Sequence, residues 1–227
     1  MDWSPLYLSL RIASSAMAIV VPIGLLTGWW MAQGRRFRGK LLVGTLLTVP
    51  IVLPPTAVGY MLLLALGRGT RFGRWLNHSA GVHLIFTWQG AALAAAIMAF
   101  PLFVRTATSA FSGIQLELLE AARSSGASEW YLFYRIALPI CARSLLSGFA
   151  LALGRALGEF GATLMVAGNV PGVTQTLPLA LYSQEQAGND HAALVFTVVL
   201  ASTAMLLVGL SDALASRSRN YAGESTR

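Results

Sequence analysis

Charges along this chain are clustered, and between the clusters run five long stretches with almost none. Ile12 to Gly34, Leu41 to Gly67 and Trp75 to Val104 carry no Asp, Glu, Lys or Arg, and the apolar part of the third starts near Leu84. Ser144 to Ser183 is interrupted only by Arg155 and Glu159, and His191 to Ser211 ends in TVVLASTAMLLVGL. A helix needs about 20 mostly apolar residues to cross a membrane. The pattern therefore predicts an all-α polytopic bundle with five spans. Within the fourth stretch, VTQTLPLALYS after Pro171 is apolar but short and interrupted by Pro178, so it reads as a short or re-entrant outer segment.

Lys and Arg in short connections favour the cytoplasmic side. With five spans, the first connection (Arg35, Arg36, Arg38, Lys40), the third (Arg105, Arg123, Arg135, Arg143) and the tail (Arg217, Arg219, Arg227) share one side, which holds 11 of the 16 basic residues. This places the N-terminus outside and the C-terminus inside, with Trp29 and Trp30 at the inner interface. Ala16-Met17-Ala18 has the look of a signal-peptide cleavage site. No basic n-region precedes it and Asp2 is acidic, so an uncleaved first span is expected.

Composition agrees. Charged residues are 11% and hydrophobic residues 56% of the 227, where a soluble domain carries about a quarter charged. Disorder is excluded by the same richness in apolar residues. A single cysteine, Cys141, rules out an internal disulfide framework and a multi-cysteine metal site.

Candidate chemistry is sparse. Gly34 to Lys40, GRRFRGK, fits the first part of a phosphate-binding loop, but Leu41 stands where Ser or Thr must hold magnesium, and no strand precedes it. It reads as a basic inner connection, and no ATP site or other cofactor is expected. His78, His83 and His191 are scattered without acidic or cysteine partners at ligand spacing, so no metal site is assigned. No nucleophile with a spaced His and carboxylate stands out, so no catalytic residue is assigned.

The connection of about residues 112–139 is more informative. Leu116, Leu119 and Ala122 recur at helical spacing among Glu117, Glu120 and Arg123, predicting a short amphipathic helix stopped at Gly126. Ala127 to Arg135 offers a second short helix, with Trp130, Phe133 and Tyr134 exposed unless something covers them. Pro139 marks the start of the next span. An interfacial helix lying on lipid is the plainer reading. Anionic lipid would repel Glu117, Glu120 and Glu129, so a protein partner at the cytoplasmic face fits better.

Glu120, Ala121, Ala122, Gly126, Ile136, Leu138 and Pro139 together spell EAA-x3-G-x9-I-x-LP. This resembles the coupling motif of ABC importer permease subunits. LPPTAVGYMLLLALGR, TWQGAALAAAIMAFPLFVR and RALGEFGATLMVAGNVPGVTQTLPLALY resemble the molybdate branch of that family, over most of the chain. The resemblance implies a single permease domain, residues 1–227, of the type I importer fold. It implies a homodimer in membrane lipid, two cytoplasmic ATPase subunits that each receive one coupling helix, and an extracytoplasmic oxyanion-binding protein. Nucleic acid has no part in it. Tungstate and sulfate permeases share much of this vocabulary. More distant readings are an ATP-independent secondary transporter or a membrane enzyme, and copurification with an ATPase subunit separates these from the first.

Two further groups stand out. Arg155 and Glu159 lie four apart in the fourth stretch, where a deep charge costs roughly 2.5–3.5 kcal/mol on insertion scales. Such residues face protein or water and have partners. They make either a buried ion pair that ties this span to its neighbour or a pathway position where Arg155 attracts the dianion. Arg68, Arg71 and Arg74 form a basic cluster on the outer side, expected to dock the binding protein. Gly24 with Gly28, and Gly154 with Gly158, are spaced for close helix approach, and Pro50, Pro54 and Pro55 predict a kink in the second span.

Overall fold

A computed structural model describes residues 2–33, 39–67, 69–78, 81 and 83–224, with side chains omitted at 76–78 and 216–224. Among the described residues every regular element is helical. In order they are α1 (Ser4–Ala32), α2 (Lys40–Val52), α3 (Pro55–Leu66), α4 (Arg71–His78), α5 (Trp88–Ser112), α6 (Leu116–Ser124) and α7 (Glu129–Tyr131). A π-helical turn, Leu132–Ala137, leads on to α8 (Leu138–Leu157), α9 (Gly161–Ala167), α10 (Leu177–Gln186) and α11 (Asp190–Glu224).

Four helices are long and apolar enough to cross a membrane: α1, α5, the continuous helix Glu129–Leu157 and Asp190–Ala215 of α11. The second predicted span is not one helix. It is α2 and α3, bent by 111° at their junction. Two consecutive prolines cause the break. A residue before proline is pushed out of the α region. Leu53 (ψ 143°) and Pro54 (ψ 134°) both take extended backbone. Pro50 stays inside α2. Counted as one broken span, the pair completes the predicted five.

α5 is the core. In its membrane window 67% of residues are buried, against 6% for α11. Its alanines Ala91, Ala92, Ala95, Ala96 and Ala99 pack on Ile12, Ala13, Ala16 and Val20 of α1. The Gly24–Gly28 pair lets α1 approach. A Cβ at Gly28 would lie 2.7 Å from Ala107 Cβ and 3.2 Å from α5 backbone. Small residues at such a contact bring backbones together where no hydrophobic force drives association. The second glycine pair behaves differently. Gly154 faces Leu207 of α11, whereas Gly158 lies beyond α8 as its C-cap.

The two ends of the bundle are distinguishable. At one end Trp29 packs on Phe111 and Phe133, and Gln33 donates to Glu129 Oε2 at 3.0 Å. This brings the end of α1, the end of α5 and the start of α7 together. At the other end Leu177 N–H donates to Ser9 Oγ at 2.7 Å, Phe86 N–H to the Val166 carbonyl, and Trp3 meets Phe196 edge-on. α11 then runs back, with Ser147 and Ser211 hydroxyls 2.8 Å apart. The start of α1 and the far part of α11 therefore lie at opposite ends, as an odd number of crossings requires.

The stretch 144–183, which holds Arg155 and Glu159, is divided among three helices. α8 ends at Leu157, α9 is a short return, and α10 spans ten residues. Ten residues rise about 15 Å, half of a hydrocarbon core. The turn before α10 is fastened by side chains. Asn169 Nδ2 donates to Ser183 Oγ (2.7 Å), Gln175 Nε2 to Asn169 Oδ1 (3.0 Å) and Val170 N–H to Thr174 Oγ1 (3.0 Å).

Candidate functional site

The loop from α5 to α8 is built by a helix stop of specific geometry. Ala127 N–H donates to the Ala122 carbonyl and Gly126 N–H to the Arg123 carbonyl. Those two bonds make a Schellman motif with Gly126 at the left-handed position, and its φ is +85°. The amphipathic helix α6 and its glycine stop thus stand where the periodicity predicted.

The second short helix does not stand alone. α7, capped by Ser128 Oγ accepting from Tyr131 N–H, continues through the π turn into α8. Pro139 explains the π turn. It has no N–H to donate to Arg135 four residues back, and its ring would crowd that carbonyl. Leu138 N–H reaches Phe133 instead, five residues back, and the helix passes through Pro139 without ending. Phe133 is correspondingly buried, enclosed by Trp29, Phe111 and Trp130, while Trp130 and Tyr134 are exposed and stacked at 5.7 Å.

The motif residues divide into two groups. Ala122, Ile136 and Leu138 are partly buried against the cluster of Trp29, Phe111, Leu119, Leu132 and Phe133. Glu120, Ala121, Gly126 and Pro139 are exposed. Beside Gly126 lies a hollow of about 520 Å³ lined by Ala122, Ser125, Gly126, Ala127, Ser128 and Tyr131. One half of the motif holds the loop on the bundle, and the other presents a small-residue hollow and the Glu120 carboxylate.

Glu129 is exposed, as expected, but it also ties the loop to the end of α1. Its carboxylate accepts from Arg123 Nε at 2.9 Å and from Gln33 Nε2 at 3.0 Å. The Glu129 hydrogen bond raises the Arg123 pKa above its ordinary value. Gln33 stands 96 residues away, so local spacing gave no signal for this clasp.

Arg155 and Glu159 do pair. Arg155 Nη1 donates to Glu159 Oε2 at 2.6 Å. They do not share one helix, because Glu159 lies in the break before α9. Its other oxygen accepts from Ala162 N–H at 2.7 Å, capping α9. The Glu159 side chain is 1% exposed and that of Arg155 32%. Arg71 and Arg74 are exposed on α4, one turn apart, with Arg74 Nη1 donating to the Gly69 carbonyl at 3.3 Å. Arg68, like Arg35, Arg36, Arg38 and Arg227, lies outside the described residues. Among the described residues no group of three or more His, Cys, Asp or Glu could hold a metal ion.

Residues 24–220 match the model of the family described as the binding-protein-dependent transport system inner membrane component. This chain belongs to that family. The permease is a multi-pass inner membrane protein of an ABC importer. It is 39% identical over 223 residues to the molybdenum transport system permease protein ModB of Escherichia coli (strain K12), covering 98% of this chain and 97% of the relative. It is 31% identical over 218 residues to the sulfate transport system permease protein CysW of Synechocystis sp., covering 96% of this chain and 78% of the relative. A chain of the methionine ABC transporter MetNI, in an inward-facing conformation, superposes with a TM-score of 0.67 at 17% identity, covering 95% and 93% of the two chains. That likeness establishes the fold, a type I importer permease.

Proposed function

We propose that the permease moves molybdate into the cell, driven by ATP hydrolysis in a separate ATPase subunit. The observation that carries this reading is the end-to-end similarity to the E. coli molybdenum permease. In this reading the chain is one permease domain. Two copies form the pathway, each seats its α6 loop on an ATPase subunit, and an extracytoplasmic binding protein delivers the anion. Sulfate is the second reading, favoured by the 31% identity to a sulfate permease. Labelled molybdate uptake by vesicles holding the reconstituted complex tests the first. Uptake should require ATP and outlast an excess of sulfate. ATP-independent uptake, or uptake abolished by sulfate, would overturn it.

We infer two further properties of the machine. The end of the bundle that carries α6 faces the cytoplasm, since the sequence puts 11 of its 16 Lys and Arg in the connections and tail assigned to that side. In a Cys141→Ser background, an impermeant thiol reagent should label Ala187→Cys in intact cells and Ser124→Cys only after permeabilisation. The reverse pattern would invert the topology. Arg71 and Arg74, with Arg68, meet acidic groups of the binding protein. Exposed pairs are worth at most about 1 kcal/mol each, so the effect falls on a salt-sensitive association rate. The triple Glu variant should lose uptake chiefly at low binding-protein concentration, and unchanged uptake there would remove the assignment.

A further inference from the structure

Arg105 is the only charged residue of α5. It stands 17 residues beyond Trp88, about 25 Å along the helix, so it lies toward the inner edge of the membrane. The connection begins after Ser112, at the expected bound, so Arg105, counted with the connection's charges, lies within α5. Arg105 is exposed, and among the described residues no hydrogen bond or ion pair engages it.

Two hollows flank it, of about 600 and 900 Å³, and both are bordered by Arg105 and Ser109. Among the described residues, no carboxylate lines either one. A second cation, Lys40, borders the larger. Of the hydroxyls around them, Thr45, Thr48 and Thr106 donate to their own helices and Ser147 pairs with Ser211. Thr108, Ser109 and Ser144 have no such partner among the described residues, which leaves their O–H groups free to donate.

We propose that Arg105, with the hydroxyls of Ser109 and Ser144, holds a tetrahedral oxyanion in the smaller hollow, at the inner end of the pathway. The inference rests on the oxyanion cargo proposed above. The chemistry fits in kind. A guanidinium offers a planar fork of donors to an oxyanion, hydroxyls add neutral donors, and no carboxylate competes. It also fits in strength. An exposed arginine keeps much of its hydration, so the hold is weak, as a site that must release its anion requires. A phospholipid headgroup offers the same phosphate chemistry to an arginine at this depth, so the test separates the two sources.

The complex is reconstituted in phosphatidylcholine vesicles with Ile140→Cys, which lines the smaller hollow, in the Cys141→Ser background. Labelling by a small water-soluble thiol reagent on the ATPase side is timed with and without molybdate. Near twice its dissociation constant, molybdate should slow labelling about threefold. Arg105→Gln should abolish the protection, and Arg105→Lys should retain part of it. Equal labelling rates of the variants without anion establish that the hollow is intact. Protection by sulfate or phosphate but not molybdate supports the site and overturns the molybdate reading. Intact molybdate uptake with no protection by any of the three anions overturns the site and leaves the cargo standing. Slowed labelling that needs added phosphatidylglycerol, and no soluble anion, also overturns it.

Discussion

Gly126→Asp is expected to lower oxyanion uptake by the reconstituted complex roughly tenfold or more while the permease still inserts. The backbone at Gly126 is left-handed, with φ of +85°. Forcing a side-chain-bearing residue into such a region costs about 1–3 kcal/mol, and 1.4 kcal/mol is already tenfold in an equilibrium. Open space surrounds the position, since a Cβ there meets no atom within 4 Å. The bundle therefore has no packing reason to reject a side chain. The cost falls on the turn between α6 and α7 and on whatever fills the hollow beside it. Glu120→Lys is expected to act in the same direction without backbone strain, by reversing the exposed charge of α6. ATP hydrolysis by the isolated ATPase subunit should be untouched by either change, because no catalytic group lies on this chain in the proposed machine. Uptake and hydrolysis measured on the same reconstituted variant check this. Full uptake with normal stimulation by loaded binding protein, in both variants, would show that the α6 loop is not the coupling element.

Features set by local chemistry were legible in the sequence. The uncharged stretches marked the spans, and the α6 periodicity with its glycine stop marked the loop, because amphipathic spacing and left-handed caps are written within a few residues. The Pro54–Pro55 step announced an interruption but not its size. Proline removes donors and forces the preceding residue to be extended, whereas the 111° angle depends on what α3 packs against. That partner is α9, where a Cβ on Gly59 would come within 2.7 Å of Ala162 Cα, and it lies about a hundred residues along. Long-range pairings explain the other misses. Phe133 looked exposed because its cover comes from Trp29 and Phe111 on two other helices. The clasp of Glu129 by Gln33 was not legible because Gln33 caps the end of α1, 96 residues away. Arg105 was counted with the loop charges because the charge-free run ends at Val104, although α5 continues to Ser112.

Glu159→Ala should destabilise the permease more than any other single change at the α8–α9 break. The carboxylate is nearly fully buried, and both of its oxygens are engaged, one by Arg155 and one by Ala162 N–H. Removing it leaves a cation without its partner and a helix N-terminus without its cap. Breaking a buried pair from one side costs roughly 3–5 kcal/mol, and the lower end applies here because Arg155 keeps about a third of its side chain exposed. Glu159→Gln should cost less, since its amide oxygen can still accept from Ala162 N–H. Thermal unfolding of the purified complex in detergent ranks the two. Whether the pair also serves the pathway is decided by Arg155→Gln with Glu159→Gln together. That double variant removes both charges and leaves neither ion stranded. A carboxylate that uses both oxygens within the fold is a tie between α8 and α9, so the double variant should recover most of the stability lost by Arg155→Gln alone. It should also transport at near the normal rate. A double variant as stable as the parent that no longer takes up molybdate would instead place Arg155 on the anion's route.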